Sequence, residues 1–138
     1  MPARVFLLSA AVVFLLDQSV KAWALARLGD GRTVALGVLT LRVVLHHPVA
    51  ARPCDVGLVT LWVALAVTLG ALVQFGPFFQ GAVASVALGA ALGGAGSNLV
   101  DRLCRRGVVD LVDVRVWPVF NLADVAIVGG AVIGALHI

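Results

Sequence analysis

Long uncharged runs alternate with short polar segments along this chain, and the runs have the length of membrane crossings. Val5 to Ala26 reads VFLLSAAVVFLLDQSVKAWALA, apolar except for Asp17, Gln18 and Lys21 near its far end. Val56 to Phe75 and Gly81 to Val100 carry no charge at all, and Val116 to Ile138 is apolar apart from Asn121, Asp124 and His137, with Pro118 near its start. A helix crossing the hydrocarbon takes about 20 residues. The pattern therefore predicts four spans, at about 5–26, 56–75, 81–100 and 116–138, in one membrane domain covering 1–138. Residues 27–55 break it. Gly29, Asp30 and Gly31 mark a turn, and TVALGVLTLRVVL is β-branched with rough alternation, which predicts short strands rather than helix. The expected fold class is an all-α membrane protein with four transmembrane helices and a small β-rich extramembrane cradle, about 30–55, between the first two.

Composition agrees. The chain is 62% hydrophobic and 12% charged, against about 45–50% apolar residues in soluble domains. A cleaved secretory signal is the rival reading of the first run, with Ala24, Leu25 and Ala26 as the cleavage site. Asp17 and Lys21 would then fall in a processing region too long and too charged for such a signal. Gly89 and Gly93, and again Gly130 and Gly134, stand four apart, a spacing that lets helices approach closely in a membrane.

The net charge is +3. Its basic residues are scattered between apolar runs without a basic, aromatic groove, so membrane lipid is the expected partner and nucleic acid is not. Cys54 and Cys104 allow one disulfide if both loops share an oxidising side. These cysteines with His46, His47 and His137 lack zinc-site spacing, so no metal or other cofactor is expected. With four spans the two polar segments, 27–55 and 101–115, fall on the side opposite the termini. That polar side also holds most of the arginines, which by the positive-inside rule points it to the cytoplasm.

The ionisable residues near the spans carry the chemistry. A charge within a span costs on the order of 2.5–3.5 kcal/mol on insertion scales and generally has a partner inside the bundle. Asp17 and Lys21 are four apart on one helix face, close enough to pair. Asn98, Asp101 and Arg102 share a face at the end of the third run, where Arg102 can fork onto a carboxylate. Asp124, three residues after Asn121, has no basic neighbour in its own run, so something across the bundle must stabilise it. Asp110 sits in VVDL just before the chain re-enters the membrane. Two carboxylates held close cannot both ionise cheaply, and such a pair serves as general base and general acid in peptide hydrolysis. A proton relay in a small proton-coupled transporter would also use membrane aspartates, and the charges alone leave that choice open.

DQSVK at 17–21, SNLVDR at 97–102 with VVDLVDV at 108–114, and FNLADVAI at 120–127 resemble, in order and spacing, the signature blocks of signal peptidase II, the bacterial lipoprotein signal peptidase. The resemblance covers nearly the whole chain. It implies an aspartic endopeptidase of the bacterial inner membrane that removes signal peptides from diacylglyceryl-modified prolipoproteins, acting as a monomer. It puts the catalytic dyad on Asp110 and Asp124, and the substrate pocket around Asn98, Arg102, Asn121, Asp17, Lys21 and Asp101. It also places the polar face on the extracytoplasmic side, and we prefer that orientation to the one the arginines suggest. Two departures stand out. HPVAAR at 47–52 occupies the place of the family's N-x-G-A-x-F-like cradle block, and Ser97 stands where glycine is usual. The cradle departure keeps open a non-catalytic homologue that binds lipoprotein precursor or an inhibitor.

Overall fold

The computed structural model describes residues 1–47, 55–77, 79 and 81–137. Four helices, α1 (Pro2–Leu28), α2 (Asp55–Phe75), α3 (Ala82–Arg105) and α4 (Leu122–Leu136), are joined by β1 (Val34–Leu36), β2 (Leu39–His46) and β3 (Val108–Asp113). The protein is mostly helical, and α1, α2 and α3 are long and apolar enough to cross a membrane.

The helix α3 is the central element because its small residues let two neighbours approach. A Cβ on Gly89 or Gly93 would run into the backbone carbonyls of Phe6 and Ala10 on α1, and one on Gly94 into that of Ala123 on α4. Ser9 Oγ donates to the Val86 carbonyl at 2.6 Å across the same α1–α3 contact. Close packing of small residues drives helix association where lipid removes the hydrophobic drive. The apolar core joins Phe6, Val73, Leu88 and Leu92, with Trp62, Ala66, Leu69 and Phe79 packed on it. Large apolar side chains elsewhere point outward, among them Leu7, Leu8 and Leu15 on α1 and Leu61 and Val67 on α2.

The structure corrects the sequence reading in three places. First, the predicted cradle was confined to the segment between the first two spans, but the sheet runs in the order β1-β2-β3, antiparallel throughout, and β3 comes from the second polar segment. Second, α3 continues past Val100 to Arg105, which carries Asp101 and Arg102 on the helix, and it stops where Arg106 turns left-handed at φ 61°. Third, the last helix starts at Leu122, not Val116. Before it, Phe120 bridges back to Val112, and Asn121 caps the helix in a reciprocal box: its side chain accepts from the Asp124 N–H at 2.9 Å, and the Asp124 carboxylate accepts from the Asn121 N–H at 3.2 Å. The 15 residues of α4 rise about 22 Å, short of the roughly 30 Å hydrocarbon thickness.

Candidate active site

The polar residues of α1 and α3 meet in a sealed cluster. Lys21 Nζ lies 2.6 Å from Asp17 and 2.7 Å from Asp101, and all three side chains are fully buried. The expected i, i+4 pair of Asp17 and Lys21 is therefore present, with a second carboxylate on the same ammonium. Buried charges need full compensation, and here each acceptor is occupied. Asp17 accepts from Ser97 Oγ at 2.6 Å and from the Ala123 N–H at 2.8 Å. Asp101 accepts from Gln18 Nε2 at 3.0 Å and the Val109 N–H at 3.1 Å, and it pairs with Arg105. The arginine that reaches Asp101 is thus Arg105, and Arg102, expected to fork onto a carboxylate, lines the neighbouring pocket instead. Ser97, the departure from the family pattern, is the donor that holds Asp17.

The two buried carboxylates reach further than their ion pairs. Val109 and Ala123 are the residues immediately before Asp110 and Asp124, so each of the latter is set on backbone that the cluster grips by its preceding N–H. Lys21 Nζ also donates to Asn98 Oδ1 at 2.9 Å. Asn98 Nδ2 in turn donates to Asp124 Oδ1 at 3.0 Å, the cross-bundle support that Asp124 requires. Asn121 Nδ2 lies 3.1 Å from Asn98 Oδ1 and 2.7 Å from Asp110 Oδ1. The two asparagines thereby link the cluster to both aspartates.

Asp110 and Asp124 line one pocket of about 280 Å³ together with His46, His47, Asn98, Arg102 and Val108. Asp110 comes from β3 and Asp124 from the first turn of α4. Burial raises the Asp110 carboxyl above the usual carboxylate range, and the charge of Asp124 adds to the rise, while His46 and Asn121 act the other way. Of the expected site residues, Asn98, Arg102, Asp110 and Asp124 line the pocket, Asn121 stands directly behind Asp110, and Asp17, Lys21 and Asp101 form the sealed support. The sequence reading missed Gln18, Ser97 and Arg105 in that support and His46 beside Asp110. Arg105 was within reach, since it follows Asp101 by four residues as Lys21 follows Asp17. His46 had no local signal.

A second pocket, of about 330 Å³, shares Asn98, Arg102 and Asp124 with the first and is otherwise lined by apolar side chains, including Leu58, Leu61 and Trp62 of α2, Leu99 of α3 and Ile127 of α4. The HPVAAR block, except for His47, lies outside the described residues, as does Cys54. Cys104, the other cysteine of the disulfide the sequence allows, is exposed on α3.

The family model described as Signal peptidase (SPase) II matches residues 9–138. A lipoprotein signal peptidase of Rhodococcus jostii is 40% identical over 90% of this chain and 67% of its own length. One of Pelotomaculum thermopropionicum is 38% identical over 88% of this chain and 82% of its own, and one of Mycolicibacterium smegmatis is 37% identical over 94% of this chain and 59% of its own. A solved bacterial membrane enzyme, 21% identical, superposes with a TM-score of 0.73 over 95% of this chain and 90% of that one, and so has the same fold. With a family match along most of its length and relatives that share over a third of its residues, this chain belongs to the signal peptidase II family.

Proposed function

We propose that the chain is an intramembrane aspartic endopeptidase that removes signal peptides from diacylglyceryl-modified prolipoproteins, with Asp110 and Asp124 activating the attacking water. The observation that carries this reading is the shared pocket: two carboxylates from separate elements line one small polar cavity, and among the described residues no lysine or arginine is bonded to either. An ionised aspartate there takes a proton from water as the water attacks the scissile carbonyl and the protonated partner donates to the carbonyl oxygen. The proton taken from water then passes to the leaving amine while the collapsing diol returns its proton to the partner. Asn98 and Asn121 orient the two carboxylates. The adjoining apolar pocket gives the hydrophobic segment or acyl chains of such a substrate a place beside the reacting groups, while Arg102 sits where the polar and apolar cavities join.

In this reading α4 is the fourth crossing, short because the extended stretch through Phe120 has already brought the chain to the sheet. The pocket faces the extracytoplasmic side of the bacterial inner membrane. Single cysteines at positions 30 and 115 test that orientation: labelling by an impermeant reagent from outside supports it, and labelling only from the cytoplasm overturns it.

Asp110→Asn and Asp124→Asn test the chemistry. Each is expected to slow cleavage of a lipidated precursor in detergent by about 10³-fold or more, in the range of a lost general acid or base, with the protein still folded. Wild-type rates in both variants would remove the dyad. A wild-type protein that binds precursor without cutting it would establish the non-catalytic homologue.

A further inference from the structure

The proposed dyad has near-symmetric surroundings at first sight. Each carboxylate is held by an asparagine side-chain amide, Asp110 by Asn121 and Asp124 by Asn98. Symmetry would leave the shared proton without a preferred site. One side chain breaks it. His46 Nδ1 is hydrogen-bonded to Asp110 Oδ2, the oxygen that Asn121 does not hold, and among the described residues no ring or cation is bonded to Asp124.

The register of the sheet puts His46 there. Leu41 stands opposite Val112, but Val44, not Val43, stands opposite Asp110. Arg42 and Val43 therefore face the single residue Leu111, which is a β-bulge. A one-residue shift moves every later side chain of a strand to the other face. Without the bulge, Val43, Leu45 and His47 would share the face of Asp110. With it, Val44 and His46 do, and His46 stands diagonally beside the carboxylate, opposite Val108. Its neighbour His47 turns to the Arg106 carbonyl at 3.2 Å.

We propose that His46 is a positioning residue for the dyad: presented by the bulged β2, its Nδ1–H holds Asp110 Oδ2 while Asn121 holds Oδ1, which fixes the orientation of that carboxylate and supports its ionised form. An ionised carboxylate is acceptor-only, so the ring nitrogen facing it must carry the hydrogen. With both oxygens of Asp110 occupied by N–H donors, a proton placed on it would displace one of them. Asp124 is held by the Asn98 side chain and the Asn121 backbone N–H. The charged and titratable groups lining this pocket are His46 and His47, Arg102 from α3, Asp110 from β3 and Asp124 from α4. From α1, Asp17 and Lys21 are fully buried in their own cluster. Burial pushes the Asp110 carboxyl up while His46 restrains the rise. Loss of His46 therefore shrinks the ionised fraction of Asp110.

The inference rests on the dyad reading, and one set of variants separates the two. His46→Ala is expected to lower kcat about tenfold to a hundredfold, to move the kcat/KM profile toward higher pH by about one unit, and to leave KM within about threefold. In His46→Asn the side-chain Nδ2 occupies the place of Nδ1, so the donor stays and the ring is lost. This variant is expected to recover kcat to within about threefold of wild type and to restore the pH profile. With Asp110→Asn inactive in the same assay, an unmoved pH profile in His46→Ala, or equal impairment of His46→Ala and His46→Asn, overturns the role of His46 and leaves the dyad standing. An active Asp110→Asn overturns both.

Discussion

Two pairs of aspartates stand close together in this molecule, and they are solvated by protein in opposite ways. Asp17 and Asp101 share one ammonium: Lys21 lies at hydrogen-bonding distance from both, Arg105 adds a second cation to Asp101, and no buried side-chain polar atom among the described residues lacks a partner. Asp110 and Asp124 line an open pocket with Asn98, Arg102 and a half-exposed histidine. The first pair is neutralised on the spot by Lys21 and Arg105. The second is under-neutralised, and there one carboxylate can hold a proton that its partner lacks. The same residue type thus serves as strut in one place and as candidate reagent in the other, and the difference lies in where the cation stands.

Lys21→Met breaks the comparison most severely. It leaves Asp17 and Asp101 facing each other in a sealed interior, and an uncompensated buried charge costs on the order of 3–5 kcal/mol. The folded yield in detergent and the thermal midpoint should both collapse, and cleavage should vanish with them. Asp110→Asn is the converse. The folded state raises that carboxyl's pKa, so it binds the proton more tightly than the unfolded chain does, and stability falls as pH rises from the ordinary carboxylate range through the raised value. Removing the charge should leave the midpoint at neutral pH no lower than in wild type. A Lys21→Met protein as stable as wild type, or an Asp110→Asn protein that melts well below it, would erase the distinction between strut and reagent.

How much of this could be read from the chain follows from how local each feature is. Asp17 with Lys21, and the common face of Asn98, Asp101 and Arg102, depend only on helical periodicity and were legible. Arg102 was expected to fork onto a carboxylate, whereas i, i+4 spacing favours Arg105 as the partner of Asp101 on a helix that continues past Val100. The capping box of Asn121 and Asp124 is itself a helix-start signal, and apolarity from Val116 onward concealed it. The strand at Val108–Asp113 could not be read, because its pairing with β2 is long-range. For the same reason His46 looked like an ordinary loop residue: a bulge at Arg42 and Val43, visible only in the register of two distant segments, decides which histidine faces Asp110.

The asparagines couple the two aspartate pairs, and their removal should have an intermediate effect. Asn121→Ala takes the Nδ2 donor from Asp110 Oδ1 and the side-chain cap from α4. A lost cap and a lost hydrogen bond to a charged group are each worth about 1–2 kcal/mol. Asn98→Ala takes the donor from Asp124 and frees one contact of Lys21. Both variants are expected to fold, to melt lower than wild type, and to cleave about tenfold to a hundredfold more slowly, with kcat rather than KM affected. An unchanged kcat in both would mean that the cluster does not orient the dyad through these side chains.

The mildest change concerns a third aspartate on the same strand as Asp110. Asp113 stands opposite Thr40 just before the bulge, accepts from the Arg115 N–H and pairs with Arg42 at 2.7 Å. First that backbone N–H and then Arg42 hold its carboxyl below the usual carboxylate range. Its contribution to stability is accordingly present above the unfolded carboxylate pKa, about 3.9, and is lost as pH falls through the lowered folded value. Asp113→Asn should therefore melt much as wild type does at neutral pH and lose less stability than wild type on acidification. Because Asp113 does not line the pocket, its cleavage rate should stay within about twofold of wild type. An Asp113→Asn protein as inactive as Asp110→Asn would show that an acidic strand, rather than one carboxylate paired with Asp124, is what the reaction requires.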